Sequence, residues 1–156
     1  MTIQAKQKPM RLKNAGKRDV RTQFGALPWR ERDGKVQVLL ITSRGTGRWI
    51  LPKGWPMDGA TPSKAAATEA WEEAGVIGKP SNVVLGFYSY RKRHEDDNLP
   101  IVVAVFPIKV RKVAKDFPEA GQRKRKWVSL KRAEKLLMEP ELRAIVRHFK
   151  PSQLKS

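Results

Sequence analysis

The chain contains no cysteine, which excludes disulfides, thiolate metal sites and cysteine nucleophiles. Histidine is confined to His94 and His148. Acidic residues are scarce too: 15 Asp and Glu face 33 Lys and Arg, a formal charge of +18 over 156 residues. Such an excess calls for an anionic partner, an anionic surface or a highly charged substrate, and composition does not choose among them. No apolar run approaches the roughly 20 residues that cross a bilayer, and the N-terminus lacks the apolar core of a signal peptide. A soluble cytoplasmic protein without membrane contact is the default expectation. No internal repeat or second domain is visible, and 156 residues suffice for one domain with a proper core. No sequence feature specifies an oligomeric state.

What the chain does have is concentrated between Lys53 and Val76, KGWPMDGATPSKAAATEAWEEAGV. A glycine-rich loop (Gly54, Gly59) leads to Pro62 and Ser63 at a helix start, then to an alanine-rich helix and a Gly75 stop. Glu69, Glu72 and Glu73 fall at i, i+3 and i+4 and share one face of that helix. Their helical neighbours are alanines and Trp71, so nothing local neutralises them. In so basic a chain, unpaired acids imply that a cation fills the gap. Mg²⁺ suits carboxylate oxygens and bridges to substrate phosphates, whereas zinc would call for His or Cys that the segment lacks. Ala67, Ala70, Trp71 and Ala74 form the opposite face and are expected to pack on a sheet. A solvated acidic helix face is the competing reading of the same spacing.

Around this stretch the chain falls into short elements. Residues 1–20 are polar, basic and aperiodic, and are expected to be a mostly disordered arm, free in solvent or folded over a polyphosphate. Gln23–Trp29 and Val36–Ser43 read as strands joined by a turn at Glu31–Gly34, the second apolar enough to lie centrally in a sheet. Ser43–Arg48 is a loop of small and cationic residues whose backbone N–H groups and arginines suit phosphate oxygens, although such hairpin loops are common. Lys53 precedes Gly54, where a cation could meet a phosphate, or is an ordinary solvated lysine. Asn82–Tyr90 and Ile101–Val110 read as strands, with the mixed-charge connection Arg91–Asn98 between them. Arg111–Ala120 reads as a loop and Lys124–Ser129 as a strand. Along Arg123–Lys126 alternate side chains point to opposite faces, one pair toward a cleft and the other to water, or the charges guard a sheet edge. Helices over Leu130–Leu137 and Glu141–Phe149 close the domain, with His148 on the surface of the second, and residues 151–156 form a tail. Strands, helix, strands and two helices suit a mixed sheet between helical layers.

The central stretch resembles the Nudix box, G-x5-E-x7-R-E-U-x-E-E-x-G-U with U aliphatic. Gly54 stands as its first glycine, Glu69 as the acid after the arginine, Glu72 and Glu73 as the pair, and Gly75 and Val76 as the ending. Two positions depart: Ala60 replaces the first glutamate and Thr68 the arginine, removing one charge of each sign. Arg48–Gly54 (RWILPKG), Ile41–Arg44 (ITSR) and Arg123–Trp127 (RKRKW) are similar to the diphosphoinositol polyphosphate phosphohydrolase branch of that family. The resemblance covers residues 21–149 and implies an α/β/α sandwich with a mixed sheet over residues 21–150. It implies Gly54, Glu69, Glu72 and Glu73 as metal ligands for Mg²⁺ or Mn²⁺. Glu69 is then the residue that orients or deprotonates the attacking water. It places Arg21, Ser43, Arg44, Arg48, Lys53, Arg91, Arg93, His94, Arg123 and Arg125 around the substrate. Glu95, Asp96 and Asp97 are candidates for a further ligand or base, or form an acidic turn.

The function so implied is Mg²⁺-dependent hydrolysis of phosphoanhydride bonds in a diphosphoinositol polyphosphate or dinucleoside polyphosphate. A nucleoside triphosphate or RNA 5′-end pyrophosphohydrolase is the alternative within the same chemistry. A basic nucleic-acid-binding protein with weak catalysis is the alternative of another class. That last reading finds no aromatic-interleaved motif in the chain to support it.

Overall fold

The computed structural model describes residues 21–91 and 100–154. The basic arm of residues 1–20, the segment 92–99 with Arg93, His94, Glu95, Asp96 and Asp97, and the last two residues lie outside the described residues.

Eight strands form one mixed sheet: β1 (Arg21–Arg32), β2 (Lys35–Thr42), β3 (Trp49–Ile50), β4 (Lys53–Gly54), β5 (Val76–Pro80), β6 (Gly86–Arg91), β7 (Pro100–Val113) and β8 (Arg125–Ser129). Its spine runs β3-β2-β1-β7-β5, with β4 beside β1, β6 beside β7 and β8 beside β2. β1 and β7 run parallel from Arg21↔Ile101 to Trp29↔Lys109, and every other pairing is antiparallel. A parallel pair needs a crossover, and the chain between them carries α1 (Pro62–Ala74) over one face. α2 (Leu130–Leu136) and α3 (Pro140–Arg147) cover the other.

Both faces are buried, which explains why β2 and β7 are nearly continuous apolar runs instead of alternating ones. Val38 and Leu40 join the cluster under α2 and α3, while Leu39 and Ile41 join the cluster under α1. Ile101, Val103 and Val105 divide in the same way from Ala104, Phe106 and Ile108. The fold is thus the expected α/β/α sandwich.

Some elements differ from the sequence reading. A strand, β5, follows α1 directly, and the strand expected from Asn82 starts only at Gly86. β7 continues to Val113 because β5 gives it a partner there: Val76 pairs with Val113 and Ile77 with Lys112. The register slips between Ile77 and Gly78, where a Cβ on Gly78 would lie 2.2 Å from the Lys109 carbonyl oxygen. On α1, Ala65, Ala66, Ala70 and Ala74 are buried, whereas Ala67 and Trp71 are only half-buried. The helix is rolled so that Glu73, 8% exposed, turns toward the sheet with the alanines. In the tail, Pro151–Leu154 forms a short 3-10 helix that sets Leu154 against the core.

Local chemistry fixes the ends of α1. Thr61 accepts the Lys64 N–H on its Oγ1 at 3.3 Å and Pro62 occupies the first turn, where its missing N–H costs nothing. Gly75 ends the helix at φ 70°, and its N–H reaches the Trp71 carbonyl at 2.9 Å. A Cβ there would meet Phe117 Cδ1 at 2.7 Å and Arg125 Nη1 at 2.9 Å. Gly75→Ala is therefore expected to lose at least about 1 kcal/mol of stability. Its denaturant midpoint should fall with an unchanged slope, and a wild-type midpoint would contradict this account of the helix end.

Candidate active site

The site starts from a glycine. Gly54 lies on β4, opposite Phe24 of β1, and a Cβ at that position would sit 2.2 Å from the Glu69 carboxyl carbon and from Oε2. The Glu69 carboxyl group thus rests on the Gly54 backbone, a contact that any other residue would block. Next to it the Lys53 N–H donates to Glu73 Oε1 at 3.3 Å. The alanine face of α1 lets the helix approach β4 closely enough for both contacts. Glu69 and Glu73 are hydrogen-bonded to each other.

Two acids that meet away from water cannot both ionise cheaply. Burial, then the Glu73 charge, the hydrogen bond to Glu73, and the charges of Glu72 and Glu119, push the Glu69 carboxyl up to about 8. Burial also raises Glu73, opposed by Arg123 and by Lys53. Burial pulls the Lys53 ammonium down to about 8, while Glu73 and Glu139 act to keep it charged. Lys53 Nζ lies 4.8 Å from the centroid of the Tyr90 ring. The Tyr90 hydroxyl donates to Gln23 Oε1 at 2.7 Å, and burial lifts that phenol to about 12.

The structure brings Gly54, Glu69, Glu73, Lys53 and Arg123 to one place. Glu72 is half-buried one turn along, and its backbone carbonyl accepts the Glu119 N–H at 3.0 Å. Arg48 lies at the edge: its charge acts on Lys53, and its Nη1 is 3.7 Å from Glu139 Oε2 and 3.2 Å from Met138 Sδ. Ser43 shapes the neighbouring loop, sharing a hydrogen bond with Thr46 Oγ1 at 2.7 Å and accepting the Arg48 N–H at 3.2 Å. Arg44 is exposed and donates to Gln122 Oε1 at 2.9 Å. Arg21 starts β1, opposite Ile101, and its charge acts on Tyr90; Arg91 ends β6 and is exposed.

Arg125 is placed differently from the phosphate-facing position expected for it. Its Nη1 donates to the Ala74 carbonyl at 2.9 Å and the Ala114 carbonyl at 2.8 Å, and its guanidinium lies 4.7 Å over the Phe117 ring. It satisfies carbonyls at the C-terminal end of α1, where a cation also complements the helix dipole. The alternation expected along Arg123–Lys126 is present: Arg123 and Arg125 are half-buried, Lys124 and Lys126 exposed.

Sequence reasoning missed Glu119, Glu139, Tyr90 and Gln23. Glu119 accepts from Arg123 Nε at 3.1 Å, and Glu139 sits at the start of α3. The available signal for Glu119 was an acid four residues before an arginine, in a loop that also carries Asp116.

Among the described residues, no three carboxylate or imidazole groups converge closely enough to enclose an ion. The pair that does meet offers hard oxygen donors only, two carboxyls sharing a hydrogen bond over a bare glycine backbone. That donor set fits a hard divalent cation, which would replace the shared proton, and does not fit zinc.

The same pair predicts a pH dependence. In the metal-free protein Glu69 keeps its proton up to about pH 8, whereas its ordinary value is 4.5. The stability this contributes is full below about pH 4.5 and is lost as pH rises through about 8. Urea midpoints of the metal-free protein should fall across that window, and Glu69→Gln should flatten the fall. Equal slopes in both proteins would contradict the close acid pair.

Known proteins share this arrangement of chain. The profile of the NUDIX domain matches residues 20–149. Nudix hydrolase 21, chloroplastic, of Arabidopsis thaliana is 35% identical over 148 residues, covering 89% of this chain and 69% of that protein. Diphosphoinositol polyphosphate phosphohydrolase 2 of Rattus norvegicus is 27% identical over 132 residues, covering 83% of this chain and 70% of that protein. In fold, the chain is similar to the Ap4A hydrolase of C. elegans with a TM-score of 0.62 and 22% identity, over 82% of this chain and 93% of that one. No helix among the described residues is long and apolar enough to cross a membrane, and the plant relative's name places that protein in the chloroplast, so the expected cytoplasmic location gains no support from it. By the profile match and the identity to its relatives, the chain belongs to the Nudix hydrolase family.

Proposed function

We propose that the chain hydrolyses phosphoanhydride bonds in a highly phosphorylated small molecule, a diphosphoinositol polyphosphate or a dinucleoside polyphosphate, with Mg²⁺ bound at Glu69, Glu72, Glu73 and the Gly54 backbone. The observation that carries this reading is the Glu69–Glu73 pair on Gly54, Glu73 buried and Glu69 half-buried, set among Lys53, Arg123 and Arg48 in a chain of charge +18. The relative named for diphosphoinositol polyphosphates and the neighbour named Ap4A hydrolase support the choice of substrate class.

Once bound, a divalent ion lowers the pKa of a water and offsets charge on phosphate oxygens. The chain's own residues do the rest. Glu69, whose carboxyl rests against the Gly54 backbone, is the residue assigned to orient the attacking water or take its proton once the ion has displaced the carboxyl's own proton. Lys53 presents an ammonium beside the acids, and Arg48 and Arg44 continue the cationic lining outward along the Ser43–Arg48 loop. Positioning and charge complementarity are most of what phosphoryl transfer requires of a protein. Exposed Arg44 can turn from Gln122 to a phosphate at little cost, because a surface hydrogen bond contributes little net stability.

Purified protein with Mg²⁺ is to be assayed against inositol pyrophosphates, dinucleoside polyphosphates, nucleoside triphosphates and 5′-triphosphorylated RNA. Turnover is expected on the first two classes. Preference for triphosphates or RNA ends would replace the substrate assignment, and metal-free, salt-sensitive RNA retention without turnover would favour a nucleic-acid binder. Glu72→Gln and Glu73→Gln should each lower kcat by about a hundredfold or more with the fold intact. Wild-type kcat in both would remove the proposed site. Arg44→Ala should raise KM for inositol pyrophosphates more than for nucleoside triphosphates, and equal effects would remove the reason for preferring the former.

A further inference from the structure

A cavity of about 820 Å³ opens at the Trp29 end of β1. Trp29 stands four residues beyond Gly25, the partner of Lys53, and so about 13 Å along the strand from the acid pair's neighbourhood. Trp29 and the rings of Pro80, Pro107 and Pro151 give the cavity apolar, rigid walls. None of the residues that form the candidate active site lines it.

Its polar lining consists mostly of hydrogen-bond donors. Lys79 and Lys109 are direct partners in the β5–β7 pairing, and Lys150 lines the same cavity. Like charges directly opposite each other on neighbouring strands destabilise a sheet. Among the described residues none of the three ammonium groups makes an ion pair, not even with Glu31, the carboxylate that shares the cavity. Lys109 Nζ lies instead 5.7 Å from the centroid of the Trp29 ring. Asn82 Oδ1 accepts the Ser63 hydroxyl at 2.6 Å, which leaves the amide N–H groups of Asn82 to donate. Ser81 Oγ accepts the Val83 N–H at 3.2 Å and keeps its own hydrogen for a further acceptor. Trp29 is only 4% exposed, and its buried Nε1–H has no acceptor. Buried donors without a partner are rare in native proteins, and they call for an ion, a water or a function at the site.

We propose that this cavity is a second ligand site, separate from the acid pair, for a phosphorylated small molecule with a flat or apolar body, such as a nucleoside monophosphate. A phosphate between Lys79 and Lys109 relieves their repulsion and takes up donors that the chain leaves unmet. Inorganic phosphate alone would leave most of the volume and the indole–proline walls unused, so the ligand has a body as well as a charge. Concave sites of this size with apolar walls and a few convergent polar groups take small molecules. Glu31 is the acceptor for a hydroxyl or amine of that body. The site is independent of the hydrolase reading above.

The test is a titration of the metal-free full chain with adenosine monophosphate, read by NMR at the Trp29 indole N–H. The chain has five tryptophans, and the Trp29 signal is the one lost in Trp29→Phe. Should that variant not fold, the four other Trp→Phe variants assign the signal by exclusion. The nucleotide should shift it saturably, with an affinity about tenfold or more above that of adenosine or of inorganic phosphate. Lys79→Ala with Lys109→Ala should weaken binding about tenfold or more. This double variant removes a repulsion and is expected to fold. Lys131→Ala with Lys135→Ala removes the same charge from exposed positions of α2 outside the cavity, and should stay within about twofold of wild type. A Trp29 signal that the nucleotide leaves in place would overturn the site. Equal weakening by both double variants would overturn it too, in favour of general attraction to a basic chain. A response to a short oligonucleotide but not to the mononucleotide would overturn the small-molecule assignment. The readout needs no turnover, so a protein inactive on every substrate would count against the hydrolase reading alone.

Discussion

No side chain fits between Gly54 and Glu69, and the arrangement of the whole α1 layer follows from that contact. A Cβ at 54 would lie 2.2 Å from the carboxyl group, so the helix can stand where it does only over a bare backbone. The same shortness recurs one strand over, where a Cβ on Gly25, opposite Lys53, would come within 2.8 Å of Val103 Cγ1. It recurs on the helix, whose inward face is Ala65, Ala66, Ala70 and Ala74. Larger residues at any of these positions would lift α1 from the sheet and let water in between the carboxyls. Glycine, alanine and the perturbed acids are thus expressions of one close approach.

The electrostatics follow from the same distance. Burial raises both Glu69 and Glu73; the charge of Glu73 and its hydrogen bond raise Glu69 further, whereas the hydrogen bond from Glu69 favours the ionised form of Glu73. Lys53 is caught in the reciprocal situation, depleted of water yet flanked by Glu73 and Glu139, so burial and attraction act on it with opposite signs. The chain as a whole carries a formal charge of +18. Anions are drawn to such a molecule from a distance, and a cation is wanted only at its acidic centre.

How much of this was legible depends on the range of the interactions involved. The ends of α1 were readable because Pro62 and Gly75 act within a turn of themselves, although the Thr61 cap was not read. The spacing of Glu69, Glu72 and Glu73 was readable for the same reason. The roll of the helix was not: Glu73 inward and Trp71 half-buried depends on how near the sheet comes, which is set by glycines 15 and more residues away along the chain in β4 and in β1. β5 was missed because its pairing with β7 depends on partners far along the chain, from Val76↔Val113 to Pro80↔Ile108, across a bulge that only Gly78 permits. Glu119 and Glu139 were missed because each belongs to a segment with no periodicity, where position comes from backbone anchors. Arg123 and Arg125 were correctly read as alternating inward, but alternation does not say what an inward arginine meets. One meets Glu119 and the other the end of a helix.

Position 73 states the conflict between stability and chemistry most clearly. A helix position 8% exposed, on a face of alanines and over an apolar sheet, is one where an aliphatic residue would bury area without desolvating a charge. The chain instead places there a carboxyl that must be partnered by the Lys53 backbone and by the field of Arg123. Local consistency is broken at this point while the caps, the alanine face and the strand patterning around it all agree with the fold. Breaks of that kind are expected at functional or strained positions, because a purely structural helix has no reason to accept them.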